Sequence, residues 1–438
     1  MSFVESMFKI KWHIARRGAF SVFEELTASE RMSYEQKTLN LDKLRRRAVT
    51  LAMKNCEFYK TRYRSIGFDL GEMEQEDWFE KLPIVTKEDL REHFEEFINH
   101  QFRRHLNIAT TGGSTGVPTK AGYDRRIPEE VYSWRLQRWF GVNPWDDHAY
   151  VWRDTRLSRL AKLKNALLWW PTKHLKMDAT FITEKGMADF VRKFNKLKPV
   201  MLQGYVGAVT QLAQFVVENK ISVHSPKFVW TTSAPLPDSQ RKLIERAFNA
   251  PVCDQYGSCE VRWIAQQCPE CGGLHVNTEH VHIEFVDENN MPVKKGTYGK
   301  TLLTNLEDTV FPLIRYENGD RGRWLTDECP CGRTLPLIDS VKGRESESFV
   351  LPSGKTINGE FLTTIFDPNP DLVSGFRVVQ HKDSSVTVEF VPSGDEDKII
   401  DLIQSFAAKI GDEVRVDYKS VESIPHDRGK LRFIVKER

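Results

Sequence analysis

The sequence predicts a mainly parallel α/β protein that ends in a small α+β unit. Between about residues 149 and 285, short apolar runs alternate with helical stretches, the pitch of α/β layers. Beyond Gly299 the texture changes to strand-like runs, a hairpin-like pair and one amphipathic helix. Upstream, Thr110 to Lys120 gathers three glycines and several hydroxyls into one run closed by a lysine. A length of 438 residues leaves room for about two or three domains.

The elements follow in chain order. Residues 8–23 mix Lys9, Lys11, Arg16 and Arg17 with Phe8, Ile10, Trp12, Ile14 and Phe20. The expectation is a helix packed on its own domain, with a membrane-surface helix as the alternative. Residues 33–63 read as one helix, with Leu39, Leu41, Leu44, Val49, Leu51 and Met53 near helical spacing. Arg45, Arg46 and Arg47 read as its solvated face. In residues 82–90 an extended piece leads into a helix with Thr86 as N-cap and Glu88 and Asp89 in its first turn, where the dipole favours acids. Residues 127–140 look helical, with Val131, Trp134, Leu136 and Phe140 for burial. Strands are expected at 200–202, 228–230 and 251–253, and helices at 208–219 and 239–248. Later strands fall at 300–305 and 312–316. Residues 376–380 and 386–390 form a hairpin across the polar turn 382–385, followed by a helix at 396–410 and a strand at 413–418. The domain boundary is expected at Gly343-Arg344, dividing the chain into 1–343 and 344–438. The sequence holds no internal repeat and no low-complexity tract.

Composition is that of a globular protein, 40% hydrophobic and 28% charged. A formal net charge of +2 argues against nucleic acid as a partner. No apolar run approaches the ~20 residues needed to cross a bilayer. Residues 1–9 lack a signal-peptide core, so a cytoplasmic enzyme is the default.

Several stretches carry chemistry. Glycines at 112, 113 and 116 let the backbone approach a ligand closely, and successive N–H groups there can cradle an anion, most naturally a phosphate. The run is not a Walker A loop, because no Gly-Lys-Ser/Thr closes it. Tyr256, Gly257, Ser258 and Glu260 directly follow a predicted strand, where open α/β sheets bind ligands. They suit an aromatic base and a metal ion; a plain turn is the competing reading. Asp320 stands just past Gly319 in an Asn-Gly-Asp turn signal and could accept from the two hydroxyls of a ribose. Arg344 sits at the proposed boundary, and Lys430 follows Gly429 near the C-terminus.

Two cysteine pairs, Cys268/Cys271 and Cys329/Cys331, each precede a glycine and resemble zinc knuckles. A redox pair and four unrelated thiols are the alternatives. His275, His280 and His282 could replace one ligand, but with four cysteines on hand they read as core or surface histidines.

Taken together and in this order, these pieces resemble the adenylate-forming superfamily of acyl-CoA synthetases. The nearest likeness is to its phenylacetate-CoA ligase branch, which includes the CapK-like proteins of capsule biosynthesis. The likeness spans nearly the whole chain, including the helix ending near Tyr59 and Tyr63 and the Leu-Pro-x-x-Thr-Lys segment at 82–87. It implies a large adenylate-forming domain of layered sheets and helices with a mobile C-terminal domain. It also implies ATP, Mg²⁺ and coenzyme A as reactants and cofactors, alongside the structural Zn²⁺. By this resemblance Thr111, Gly112, Gly113, Ser114, Thr115 and Gly116 hold the β- and γ-phosphates, with Lys120 as helper. Ser233, Ala234 and Pro235 lie beside the adenine, and Tyr256 stacks on it. Glu260 holds Mg²⁺, Asp320 the ribose, and Arg344 the ribose and phosphate. Lys430 bridges the carboxylate and the α-phosphate. The family pivot falls at Ser346, next to Glu347, a departure from the usual Asp or Lys. Of the aromatic residues Trp139, Trp145, Trp152, Trp169, Trp170 and Tyr205, Tyr205 is the best single choice for the acid pocket. The expected substrate is an aryl or arylacetic acid. The acceptor is coenzyme A, or alternatively a carrier-protein thiol or an amine in polysaccharide or secondary-metabolite synthesis. A homodimer is left open.

Overall fold

The computed structural model describes residues 2–111, 119–152, 159–179, 182–339, 341, 349–350, 352, 356–357, 365–366, 369, 372–410, 413–427, 430–431 and 434–437. The chain divides into two compact units, one of residues 1–15, 137–254 and 342–438, the other of 16–136 and 255–341.

The first unit is built on a sheet in the order His174–Asp178, His148–Trp152, Met201–Tyr205, Phe228–Thr232, Val252–Tyr256. Its first four strands pair in parallel. Phe228–Thr232 is buried throughout, as a strand covered on both faces must be. Helices Glu184–Leu197, Val206–Glu218 and Asp238–Phe248 alternate with the strands, the second and third of them as expected. Left-handed Lys198 and Asn249 end the first and third helices. Phe190, Phe194, Val209, Leu212, Ile244 and Phe248 pack with Leu202 and Val229 into one core. Gly204, near the end of strand Met201–Tyr205, is required because a Cβ there would meet Val209 Cγ2 at 2.5 Å and the Val151 carbonyl at 2.9 Å.

Toward the C-terminus the same unit has a four-stranded sheet, Val416–Ser420, Val386–Pro392, Val373–Gln380 and Ile434–Lys436. The expected hairpin is present, with Asp383 Oδ1 accepting from the Ser385 amide at 2.9 Å across the turn. Helix Glu396–Ile410 buries Ile399, Ile403 and Phe406 against Val378, Val388 and Phe390. The short strand Lys430–Leu431 runs beside helix Val206–Glu218.

The second unit centres on the antiparallel strands Val281–Val286, Gly299–Asn305 and Tyr316–Gly322. Helices Tyr34–Asn55 and Glu57–Ser65 pack Val49, Ala52, Phe58, Tyr59 and Tyr63 onto that core. Thr86 caps Lys87–Glu92 in a capping box with Asp89, as expected.

Four expectations are corrected. The helix expected over 33–63 breaks at Cys56, which takes extended backbone (φ −116°, ψ 122°). The segment 8–23 is interrupted where Gly18 turns left-handed (φ 88°), between helices Phe3–Ala15 and Ala19–Ser29. Arg45 is not solvated: its guanidinium lies 4.9 Å from the Phe79 ring centroid, and Arg46 lies over Trp78 at 5.5 Å. The strand expected at 312–316 begins only at Tyr316. Arg315 is left-handed (φ 51°), and Tyr59 Oη holds the segment by donating to the Pro312 carbonyl and accepting from the Ile314 amide.

Candidate functional site

In the second unit, strand Tyr316–Gly322 alternates buried and half-exposed positions. Tyr316, Asn318 and Asp320 therefore share its buried face. The Asn-Gly-Asp turn signal lies inside the strand, where Gly319 takes φ 81°. Asp320 Oδ2 accepts from Tyr256 Oη at 2.8 Å and from Asn318 Nδ2 at 2.6 Å, and Asn318 also donates to Tyr256 Oη at 2.7 Å. The Asp320 amide closes the set on Asn318 Oδ1 at 3.0 Å. Ring, amide and carboxylate are thus locked into one constellation, and Asn318 is a member that the sequence reading missed. The alternation Tyr-x-Asn-x-Asp was its available signal.

Glu260 is buried beside it. Its Oε1 accepts from Tyr316 Oη at 3.1 Å, and its buried Oε2 has no hydrogen-bond partner among the described residues. A buried orphan carboxylate oxygen is costly alone and suits a hard, oxygen-seeking cation such as Mg²⁺. Ser258 is engaged in the local turn, its Oγ accepting from the Val261 amide at 2.9 Å. A Cβ on Gly257 would crowd the Trp263 amide nitrogen at 3.2 Å.

In the first unit, Trp152, Tyr205 and the residues after Thr232 lie at the carboxyl edge of the parallel strands, the binding edge of such sheets. Tyr205 stacks on Trp152 with ring centroids 4.2 Å apart and planes at 26°. Of the tryptophans considered, Trp152 is the one paired with Tyr205. Trp145 and Trp169 pack instead against Phe8. Ser233 is exposed and left-handed (φ 77°), with Ala234 and Pro235 half-buried behind it. Asp427 pairs with Lys430 in a short antiparallel bridge.

Strands Leu106–Thr111 and Thr119–Asp124 pair up to Thr111↔Thr119. Gly112, Gly113, Ser114, Thr115 and Gly116 between them, and Arg344 with Ser346, lie outside the described residues.

The cysteine pairs converge in the second unit. Cys268 Sγ lies 3.4 Å from Cys329 Sγ, and Cys271 Sγ lies 3.2 Å from Cys329 Sγ. All are free thiols at separations far beyond a disulfide bond of about 2.05 Å. Gly272 and Gly332 are left-handed (φ 75° and 72°). The amides of Glu270 and Arg333 each reach a sulfur at 3.4 Å. His275, the alternative ligand rather than the preferred one, joins them: it is buried, Nδ1 donates to the Leu335 carbonyl at 2.9 Å, and Nε2 faces Cys331 Sγ at 3.3 Å. Burial lowers its pKa to about 4, so the ring is neutral and available as a ligand. Cys268, His275, Cys329 and Cys331 bring their donor atoms within 4.8 Å of one another, a set that fits one metal ion, while Cys271 is exposed at its rim. The short strands Ala265–Gln267 and Leu274–Val276 pair antiparallel and bring His275 beside Cys268.

Residues 349–437 match the family model of the CapK C-terminal domain. Protein CapK of Staphylococcus aureus is 26% identical over 399 residues, 87% of this chain and 85% of the relative. The phenylacetate-coenzyme A ligase of Thermus thermophilus is 22% identical over 405 residues, 87% of each chain. Among solved structures, 2-hydroxyisobutyryl-CoA ligase in the postadenylation state, in complex with R3-HIB-AMP, superposes with a TM-score of 0.77 at 21% identity, covering 94% of this chain and 91% of that one. Over residues 349–437 the chain is similar to the CapK C-terminal domain, over most of its length it is similar to CapK and to phenylacetate-CoA ligase, and it has the fold of 2-hydroxyisobutyryl-CoA ligase.

Proposed function

We propose that this protein is an AMP-forming acid–thiol ligase. A carboxylate oxygen attacks the α-phosphorus of ATP, the bond to the β-phosphate breaks, and pyrophosphate leaves. A thiolate then attacks the acyl carbon of the adenylate, and AMP departs with the carboxyl oxygen. The observation that carries the reading is the locked Tyr256–Asn318–Asp320 constellation beside the orphan oxygen of Glu260.

In this reading the Tyr256 ring takes the adenine face and Asp320 accepts from the ribose hydroxyls, while Ser233, Ala234 and Pro235 border the base. Gly112 to Gly116 cradle the phosphates, and Arg344 and Lys430 supply cations. Two anions meet in the first step, and their repulsion in a dry cleft demands a positive charge there. Glu260 would hold Mg²⁺, which when bound neutralises phosphate charge. Cys268, His275, Cys329 and Cys331 would hold a structural zinc that braces the strands carrying the nucleotide elements, with Cys271 as the spare thiol. The stacked pair Trp152–Tyr205 favours a flat acid, aryl or arylacetic, over an aliphatic one. We place the division between the large domain and a rotating C-terminal domain at 343/344, and the reaction in the cytoplasm.

A second reading keeps the adenylation step and makes the acceptor a carrier-protein thiol or an amine. Pyrophosphate release across a panel of acids, with and without coenzyme A, separates the two. Thioester and AMP in equal amounts support the coenzyme A reading. Acid-dependent pyrophosphate that coenzyme A neither accelerates nor converts to thioester supports the second. Silence with every acid sinks both.

A further inference from the structure

We propose that helices Phe3–Ala15 and Arg159–Trp169 form a docking surface for an anionic lipid bilayer. The two helices lie side by side in the first unit. They meet through their aromatic faces: Phe8 is 6.0 Å and Trp12 5.4 Å from Trp169 between ring centroids, and Phe8 is 5.8 Å from Trp145. Lys11 Nζ donates to the Leu167 carbonyl at 2.8 Å and lies over the Trp170 ring, tying the pair together.

Among the described residues the outer faces have no such cover. Phe3, Ile10 and Ile14 recur at i, i+7 and i+11, on the side of the first helix turned away from buried Phe8 and Trp12. Leu160, Leu163 and Leu167 recur at i, i+3 and i+7, turned away from Trp169. All six, and Trp170, are more than half exposed. Phe3 meets Trp170 edge-on at 6.2 Å, which joins the two stripes. Isolated exposed leucines need no explanation, but two joined stripes of seven large apolar side chains do.

Charge selects the occupant. Residues 159–176 contain five Lys or Arg and no Asp or Glu. Lys164, Lys173 and Lys176 are exposed. The one acid of the first helix, Glu5, is neutralised by Lys9 at 2.7 Å. A second copy of the chain would bring two basic rims together, whereas anionic headgroups neutralise them while the apolar stripes enter the acyl boundary. Trp170, apolar with one polar edge, suits the headgroup level. No helix among the described residues is long and apolar enough to cross a membrane, so the contact is peripheral. The inference does not rest on the ligase chemistry.

The test is flotation of the full-length chain with vesicles of phosphatidylcholine, with and without phosphatidylglycerol. Binding is expected only with the anionic lipid, weakened by added salt. Leu163→Asp with Leu167→Asp should lower the partition coefficient by roughly tenfold or more, and Lys164→Glu with Lys173→Glu should lower it as well. Circular dichroism and light scattering are recorded on the same samples. Absence of flotation by the folded wild type overturns the proposal. So does flotation unchanged in folded variants, or a dimer of the wild type that the leucine substitutions disperse.

Discussion

At the scale of single residues, the constellation around Asp320 ties function to hydrogen bonding. Tyr256 reaches Asp320 through its hydroxyl, so Tyr256→Phe keeps the ring and loses the tether. The expected result is a KM for ATP raised several-fold, about 1 kcal/mol of binding, with the adenylation rate little changed. Glu260→Gln removes the charge next to the orphan oxygen. Titration of Mg²⁺ in the pyrophosphate assay should show a requirement raised by roughly tenfold or more. Lys430→Ala is expected to abolish adenylate formation while sparing thioester formation from a supplied acyl-adenylate; equal loss in both half-reactions would remove its assigned role. At the cysteine cluster, His275→Ala and Cys329→Ser should lose bound zinc, while Cys271→Ser should keep it, because the exposed thiol is outside the compact set. Metal analysis of the purified variants reads this directly, and zinc lost from Cys271→Ser but kept by His275→Ala would restore the four-cysteine expectation.

At the scale of elements, the parallel sheet of the first unit has two consequences. Gly204→Val would drive branched atoms into Val209 and the Val151 carbonyl. A loss of about 1–3 kcal/mol in denaturant unfolding is expected from such overpacking. The second consequence is acid sensitivity. His148 and His174 sit on neighbouring strands with rings parallel, 5.8 Å between centroids. Burial lowers their pKa values to about 4 and about 3, and for His174 the neighbouring His148 and Lys176 act in the same direction. Tyr150, whose hydroxyl faces His148 Nδ1 at 3.4 Å, is half-buried and neutral. Both histidines are therefore uncharged when folded and would charge on unfolding below their ordinary value of about 6.5. Their contribution is fully present above that pH and declines as pH falls toward 4. Melting temperatures across this window should drop, and His148→Gln should flatten the drop; parallel curves for the two proteins would argue against this origin.

At the scale of the whole molecule, the proposed chemistry calls for two half-reactions served by one C-terminal domain. In that proposal its own core, Ile399, Ile403 and Phe406 on Val378, Val388 and Phe390, would let it move as a body. Ser346 follows the proposed boundary. Ser346→Pro is expected to slow thioester formation more than adenylation, because a fixed φ restricts a pivot and not a binding site. Rapid-quench measurement of each half-reaction reads the difference, and equal slowing would place the pivot elsewhere.

What the sequence determined by itself was the alternation of strands and helices over 200–253, the C-terminal hairpin with its helix, and the Thr86 cap. All of these are written in local spacing: period 2 or 3.6, a capping hydroxyl, a polar turn. Its boundaries failed where a single backbone angle decides, at Gly18, Cys56 and Arg315. Only the tertiary structure decided that Asn318 joins Tyr256 across 62 positions of chain, that His275 faces Cys331, that Tyr205 takes Trp152 as its partner, and that Arg45 lies under aromatic rings. Those contacts depend on how distant strands are brought together, and residue type constrains them too weakly to be read in advance: a buried histidine or asparagine has many possible partners, and packing selects one.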